Sequence, residues 1–196
     1  DNMPHLIILA GPNGAGKSTA APALLNDALH MKNFVNADVI AQGLCAYKPE
    51  TVAIQAGRIM LNKIHNLADE KENFAFETTL ASRTFSTWIP KLKKNGYQFH
   101  VVFLWLKSPE LAVLRVKERI KAGGHMVPEE TIRRRYASGV KNFFKLYSPL
   151  ADSWQLYDNS DINELSLIAS KASQNDVIIK KEDLWEQLLE ISREKQ

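Results

Sequence analysis

Short apolar runs alternate along the chain with longer segments whose apolar residues recur every three to four positions. The first pattern predicts buried β-strands, and the second predicts amphipathic helices that cover them. The predicted strands are Leu6–Ala10, Phe34–Asn36, Phe74–Glu77, Phe99–Leu106 and Gln155–Tyr157. The predicted helices are Lys17–Leu29, Thr51–Ala68, Phe85–Lys94, Pro109–Lys121 and Pro128–Leu146. This alternation is typical of βαβ units, so we expect an α/β fold with a parallel sheet flanked by helices.

The C-terminal segment 177–196 predicts one more strand and a closing helix. Leu184, Leu188 and Ile191 share one face of that helix, and we expect this face to dock on the chain's own core. The chain has 196 residues, of which 45% are hydrophobic, which is enough to bury one sizeable core. We therefore expect a single domain over residues 1–196.

Composition excludes several classes of protein. The net charge of +3 is too small to indicate a nucleic-acid-binding protein, and apolar runs such as Val101–Leu106 are too short to span a bilayer. Cys45 is the only cysteine, so no disulfide forms within the chain, and no basic-then-apolar leader opens it. We expect a cytoplasmic protein without a nucleic-acid or membrane partner.

A phosphate-binding loop follows the first predicted strand. The stretch "GPNGAGKST" matches the pattern G-x-x-x-x-G-K-[ST], in which backbone N–H groups and a helix N-terminus cradle phosphates. Lys17 would reach the β- and γ-phosphates of a nucleoside triphosphate, and the Ser18 hydroxyl would bind Mg²⁺. The residues expected to bind ATP are Gly11, Pro12, Asn13, Gly14, Ala15, Gly16, Lys17, Ser18 and Thr19.

Other parts of the chain favour phosphoryl transfer over a switch or a motor. The guanine-reading NKxD element of GTPases is absent, and the strand "VVFLWL" does not end in the aspartate that holds Mg²⁺ in many ATPases. Residues 115–135 contain seven Lys or Arg residues against three Glu. A cluster of positive charge would stabilise the negative charge that spreads over the oxygens of the transferred phosphoryl group. We expect residues 121–135 to form a short arginine-rich lid.

Helical spacing ranks the arginines of this segment. Arg119 borders an apolar stripe and is the first choice for a γ-phosphate contact. The run "EETIRRR" resembles the lid of adenylate kinases, in which the last arginine touches phosphate; this favours Arg135, with Arg133 second. Arg134 points away from the aromatic stripe of its helix and is expected to face solvent.

Two acidic residues follow predicted strands at the edge where parallel α/β sheets bind ligands. Asp38 is the candidate general base for an acceptor hydroxyl, and its alternative role is to cap a helix starting at Val39. Glu77 would hold Mg²⁺ through water or bind acceptor hydroxyls, with Thr78 and Thr79 adding hydrogen bonds; the alternative is a solvated glutamate.

Weaker signals come from three further residues. His125 follows two glycines and is either a phosphate contact or a surface residue of the lid. Asp158 and Asn159 follow the last predicted strand, where nucleotide kinases often frame adenine.

The combination of motifs resembles the zeta-toxin family of P-loop kinases. The resemblance runs from about residue 5 to about residue 160 and rests on "GPNGAGKST", "NAD", "FETTL", "ERI" and "HMVPEE". In that family a phosphate-loop lysine, an aspartate and two lid arginines carry out phosphoryl transfer to a sugar hydroxyl of UDP-N-acetylglucosamine. The resemblance implies Lys17 for the first role, Asp38 as the base and Arg119 as one arginine.

Two positions depart from the family pattern. His125 stands where the family has its second lid arginine, so Arg135 or Arg133 is the expected substitute. Ala81 stands where the family has an arginine on the sugar nucleotide, with Arg83 two residues later. The expected acceptor-binding residues are therefore Glu77, Thr79 and Arg83.

The sequence thus predicts an ATP- and Mg²⁺-dependent phosphotransferase acting on a small-molecule hydroxyl, with UDP-N-acetylglucosamine or a related sugar nucleotide as the family's candidate. One alternative is a kinase for another sugar, an antibiotic or a nucleotide. Another is an ATP-binding module without catalysis, whose partner is a protein such as an antitoxin.

Overall fold

The structure, a computed structural model, describes residues 3–29 and 31–195; Gln196, the last residue of the predicted closing helix, lies outside them. Within these residues, seven strands form one sheet: β1 (His5–Ala10), β2 (Asn33–Val35), β3 (Phe74–Thr78), β4 (Gln98–Trp105), β5 (Ser153–Asp161), β6 (Glu164–Ala172) and β7 (Ile178–Ile179). The α-helices of the same residues are α1 (Lys17–Leu29), α2 (Ala37–Leu44), α3 (Ala53–Asp69), α4 (Thr84–Lys94), α5 (Pro109–Lys121), α6 (Glu129–Asn142) and α7 (Glu182–Arg193).

The sheet has the strand order β2-β3-β1-β4-β5-β6-β7. Its first five strands are parallel, and β6 and β7 add antiparallel to one edge. Helices flank the sheet, which confirms the predicted α/β class. Because the parallel strands share one direction, their carboxyl ends place the loops after β1, β2, β3 and β5 along one edge.

Central strands are apolar along their whole length because both of their faces are covered. β1 is buried from Leu6 to Ala10, and the aromatic side chains of Phe74, Phe76 and Phe103 are fully buried beside it. In the part of the chain that the structure describes, no helix combines the length and apolar character needed to cross a membrane.

The closing helix docks on the core, as its apolar face predicts. Leu188 of α7 is fully buried, and Trp185 stacks on Trp154 of β5 with ring centroids 6.0 Å apart. The predicted strand before α7 is short, because only Ile178 and Ile179 pair with β6.

Strand β6 was not predicted from the sequence, and the helix considered to start at Val39 begins two residues earlier. Helix α2 begins at Ala37, and β2 ends at Val35, so Asn36 lies in neither element and caps the helix. Strand β6 forms a hairpin with β5, but register shifts in this pair change which face each side chain occupies. The two-residue alternation that reveals a strand is therefore broken along β6.

Two predicted helices change geometry along their length. The segment predicted as one helix from Thr51 begins with a 3-10 turn, Pro49–Val52, which precedes α3. The segment predicted from Pro128 to Leu146 consists of α6 followed by a π-helical turn, Phe143–Tyr147.

A pair of histidines joins two strands at the opposite, amino-terminal edge of the sheet. His5 Nδ1 lies 3.0 Å from His100 Nε2, and His100 Nδ1 lies 2.7 Å from Ser153 Oγ. Burial lowers the pKa of His100 below its ordinary value, and His5 acts in the same direction. The neutral pair can share one proton in a hydrogen bond, whereas two protonated rings would repel each other.

We expect the free energy of unfolding to fall as the pH drops below about 6.5, the ordinary pKa of histidine. In that window the unfolded chain binds a proton at position 100 that the folded chain binds less readily, so acid favours unfolding. Chemical denaturation at pH 7.5 and pH 5.5 measures the difference. His100→Asn is expected to reduce it, and an equal pH dependence in this variant would contradict the assignment to His100.

Candidate active site

The loop after β1 is shaped to surround an anion. Gly16 has a φ of +81°, a left-handed conformation that glycine adopts without steric cost. A β-carbon at this position would also lie only 2.9 Å from the Asn159 amide nitrogen. Residues 13–19 line a cavity of about 720 Å³, which we call the nucleotide cavity, at the N-terminus of α1. Gly11 and Pro12 contribute backbone carbonyls beneath it.

Lys17 is the buried cation of this loop. Its side chain is only 7% exposed, and Nζ donates to the carbonyls of Gly11 at 2.6 Å and Pro12 at 3.0 Å. Burial lowers the pKa of Lys17 to about 8, while the negative charges of Glu77 and Asp38 oppose this shift. The ammonium group is therefore desolvated and ready to pair with an anion.

Ser18, Glu77 and Asn36 form a hydrogen-bonded network beside Lys17. The Ser18 hydroxyl donates to Glu77 Oε2 at 2.9 Å, and the Asn36 amide donates to Ser18 Oγ at 3.1 Å and to Glu77 Oε2 at 2.9 Å. Burial raises the pKa of Glu77, whereas Lys17 and the Ser18 hydrogen bond favour its ionised form. A hydroxyl next to a carboxylate provides the oxygen ligands that Mg²⁺ prefers.

Asn36 also positions Asp38. As the N-cap of α2, its side-chain oxygen accepts a hydrogen bond from the Asp38 backbone N–H at 2.8 Å. Asp38 therefore lies in the first turn of the helix and is not its cap, so the alternative cap role is wrong. Its own side chain is exposed at the wall of the site.

A second cavity of about 690 Å³ adjoins the nucleotide cavity, and we call it the acceptor cavity. Four residues line both cavities: Asn13, Lys17, Asp38 and Glu77. The two spaces therefore meet at the phosphate-loop lysine and the two carboxylates. The other polar side chains of the acceptor cavity belong to Asn36, Glu50, Thr78, Thr79, Ser82, Thr84, His125, Thr131, Arg134 and Arg135.

Two of the predicted arginines reach the site. Arg119 lines the nucleotide cavity, and Arg135 lines the acceptor cavity. The guanidinium of Arg135 is half-buried and donates to Asn13 Oδ1 at 3.4 Å. Both charges contribute to lowering the pKa of Lys17, which indicates that they converge on the same space.

The other arginines of residues 115–135 differ in their contacts. Arg133, the second choice from sequence, pairs with Glu110 at 2.8 Å and Glu129 at 3.1 Å and lines neither cavity. Arg115 also lines the nucleotide cavity, and its two terminal nitrogens donate to the carbonyls of residues 159 and 160, at 2.7 Å each. Arg134 is exposed, as predicted, but it lies at the edge of the acceptor cavity.

Some of the predicted acceptor-binding residues line the acceptor cavity, and one does not. Glu77, Thr78 and Thr79 line the acceptor cavity, whereas Arg83 is exposed at the start of α4 and belongs to the lining of neither described cavity. His125 lines the acceptor cavity, and its Nδ1 is buried without a hydrogen-bond partner among the described residues.

Sequence reasoning missed the role of Asn36. It placed Asn159 after a strand, whereas the structure places it within β5 and in the lining of the nucleotide cavity. Asn159 lies inside β5 and its amide donates to the Ala15 carbonyl at 2.7 Å, so it holds the phosphate loop against the hairpin. Asn36 was read as the end of a strand. The signal that identifies it is an Asn directly before a short amphipathic helix, which is the N-cap position.

The sequence is similar to a known protein family and to a bacterial protein. The sequence model of a family described as Zeta toxin matches residues 1–170. An uncharacterized protein of Haemophilus influenzae is 29% identical over 130 residues, which are 66% of this chain and 91% of that protein.

Similar folds occur among solved structures. The complex AvrRxo1-ORF1:AvrRxo1-ORF2, determined with sulphate ions, gives a TM-score of 0.79 at 14% identity over 99% of this chain. This chain spans 66% of the matched AvrRxo1 chain, and the same complex with ATP gives an equal score. The PezAT chromosomal toxin-antitoxin system of Streptococcus pneumoniae gives 0.64 at 16% identity, covering 98% of this chain and 85% of that one.

We expect Asn36→Ala to lower the free energy of unfolding by about 0.5–2 kcal/mol, the usual cost of a lost N-cap. It should also weaken binding of a magnesium–nucleotide complex, because Ser18 and Glu77 lose their common donor. Denaturation curves and equilibrium titration measure the two effects.

Ser108→Ala is the matched control, because Ser108 caps α5 in the same way and lines neither cavity. It should cost similar stability and leave nucleotide affinity unchanged. Equal affinity losses in both variants would contradict the specific role of Asn36.

Proposed function

The chain belongs to the zeta toxin family, and on this premise we propose that it transfers the γ-phosphate of ATP to a hydroxyl of a small molecule. The observation that carries the proposal is the meeting of two cavities at Lys17, Asp38 and Glu77. A phosphotransferase needs a donor space and an acceptor space that join at the transferred group.

ATP fits the nucleotide cavity by the chemistry of its lining. Backbone N–H groups at the N-terminus of α1 and the buried Lys17 ammonium favour a triphosphate. A magnesium ion, when bound, would neutralise phosphate charge, and Ser18 with Glu77 is the pair that would hold it. The AvrRxo1 complex determined with ATP has the same fold and supports this nucleotide.

Asp38 is the proposed general base. It is exposed at the boundary of the two cavities, where it can accept a proton from a hydroxyl in the acceptor cavity. Arg119 and Arg135 approach the same space and would stabilise charge on the phosphoryl oxygens during transfer. In this proposal Arg135 supplies the cation that the family has at the position of His125.

The acceptor proposed from the family is UDP-N-acetylglucosamine or a related sugar nucleotide. Hydroxyl and carboxylate side chains of the acceptor cavity, including Thr79 and Glu50, suit the hydroxyl groups of a sugar. The expected contact from Arg83 is not part of the lining, so other polyhydroxyl acceptors belong in the same screen.

We further propose that a second protein binds this chain. Of the solved structures with a similar fold, one is the complex AvrRxo1-ORF1:AvrRxo1-ORF2, and another belongs to the PezAT toxin-antitoxin system. An ATP-binding module that acts only through such a partner is the competing hypothesis. It differs from the kinase proposal because it requires no role for the Asp38 carboxylate.

Asp38→Asn is expected to reduce phosphoryl transfer by about 10²–10⁴-fold, the usual contribution of a positioned base. Affinity for ATP should stay within about twofold, because the amide keeps the size of the side chain. Transfer of label from γ-³²P-ATP to UDP-N-acetylglucosamine, N-acetylglucosamine and a panel of sugars and nucleosides measures the first effect.

Asp69→Asn is the matched control, since Asp69 ends α3 outside both cavities. Wild-type transfer rates in Asp38→Asn would contradict the proposed base. Tight ATP binding without transfer to any acceptor would instead favour the binding module.

Nucleotide affinity is expected to fall as the pH rises through about 8, the pKa of Lys17. Below this pH the ammonium is charged and pairs with phosphate; above it the neutral amine does not, and binding must take up a proton. Isothermal titration with a non-hydrolysable ATP analogue between pH 7 and pH 9 measures affinity and proton uptake together. Lys17→Met should remove this dependence, and a flat wild-type profile would contradict it.

A further inference from the structure

The segment between β3 and α4 forms one wall of the acceptor cavity without regular secondary structure. Thr79 and Ser82 line the cavity from this segment, which we call the acceptor loop (residues 79–82). Leu80, inside the loop, is fully buried and has a φ of +65°, a conformation that a leucine adopts only when its surroundings impose it.

Three residues of one helical segment hold the acceptor loop. The Asn142 amide donates to the carbonyls of Leu80 at 2.9 Å and Ala81 at 3.0 Å, and the Tyr147 hydroxyl donates to the carbonyl of Ser82 at 2.6 Å. Gly139 lies so close that a β-carbon there would be 2.5 Å from the carbonyl oxygen of Thr79. All four consecutive carbonyls of the loop therefore face α6 and the π-helical turn.

The π-helical turn makes this arrangement possible. The Ser148 N–H donates to the carbonyl of Phe143, five residues earlier, at 2.8 Å. Residues five apart lie on different faces of an α-helix, but a turn with this wider bond brings Asn142 and Tyr147 to the same side. Both side chains can then reach the loop from one continuous segment.

The other end of α6 lies at the phosphate loop. Arg135 donates to Asn13 Oδ1, and Thr131 lines the acceptor cavity one turn before it. One segment, residues 129–147, therefore contacts both the nucleotide-binding loop and the acceptor loop. Arg135 and the donors Asn142 and Tyr147 therefore lie on one continuous helical segment.

Resting on the proposed function, we infer that Asn142 and Tyr147 are positioning residues that couple nucleotide binding at Arg135 to the shape of the acceptor loop. They touch neither nucleotide nor acceptor. Their action is to fix three backbone carbonyls, those of Leu80, Ala81 and Ser82, and through them the side chains of the acceptor loop that line the cavity.

Hydrogen–deuterium exchange of the peptide that spans residues 79–83 tests the inference without an acceptor. In the nucleotide-free protein, Tyr147→Phe and Asn142→Ala should increase exchange of these amides about tenfold or more, because the loop loses its donors. Adding magnesium and a non-hydrolysable ATP analogue should slow exchange in the wild type, and this protection should be lost in both variants.

Tyr136→Phe is the matched control. It removes a buried hydroxyl of the same helix whose hydrogen bond, 2.7 Å to the Leu106 carbonyl, leads away from the acceptor loop. Its loop exchange and its nucleotide response should equal those of the wild type. Tyr147→Phe keeps the ring in place and so remains informative if Asn142→Ala fails to fold.

The outcomes separate this inference from the proposed function. Unchanged loop exchange in Tyr147→Phe, or nucleotide protection that persists in it, would overturn the coupling even if the protein is a kinase. Failure of the analogue to bind would overturn both the proposed function and the coupling. The nucleotide-free comparison would still test whether Asn142 and Tyr147 hold the acceptor loop.

A kinetic readout distinguishes positioning from general stability. With whichever acceptor the labelled-ATP screen identifies, Tyr147→Phe should raise the KM for the acceptor about tenfold and leave the KM for ATP within about twofold. An equal rise in both constants would identify a merely structural role and contradict the inference.

Discussion

The burial of one ammonium group is the constraint on which the site depends. Taking the Lys17 charge out of water is unfavourable, and the protein compensates with two loop carbonyls and the nearby carboxylate of Glu77. The carboxylate in turn needs donors, which Ser18 and Asn36 supply. Because Asn36 also caps α2, the same network determines where Asp38 lies. A single desolvated charge thereby organises the loops after three parallel strands.

The parts of the site that could be predicted from the sequence are those set by a short motif or by the direction of the parallel strands. A glycine-rich turn between an apolar strand and a helix has few conformations, so Lys17 and Ser18 could be placed from their motif. Asp38 and Glu77 could be placed at the same edge because parallel strands share one direction. Neither inference needed knowledge of how the helices pack.

The features that sequence could not place depend on packing between distant segments. Local patterns could not separate Arg133 from Arg135. The structure shows Arg133 paired with Glu110 and Glu129, whereas Arg135 lines the acceptor cavity. Strand β6 was missed because register shifts in its pairing with β5 break the alternation of apolar residues. The hydrogen bonds from the Asn142 amide to the acceptor loop join residues more than sixty positions apart, so no local pattern in the chain reveals them.

The ion pairs of Arg133 contribute to the contact between α5 and α6. The pair with Glu110 connects α5 to α6, whereas the pair with Glu129 lies within α6, and all three side chains are well exposed. Exposed pairs are readily exchanged for water and are screened by dissolved ions. The contribution of these pairs to holding α6 in place is therefore small, and it falls as the ionic strength of the medium rises.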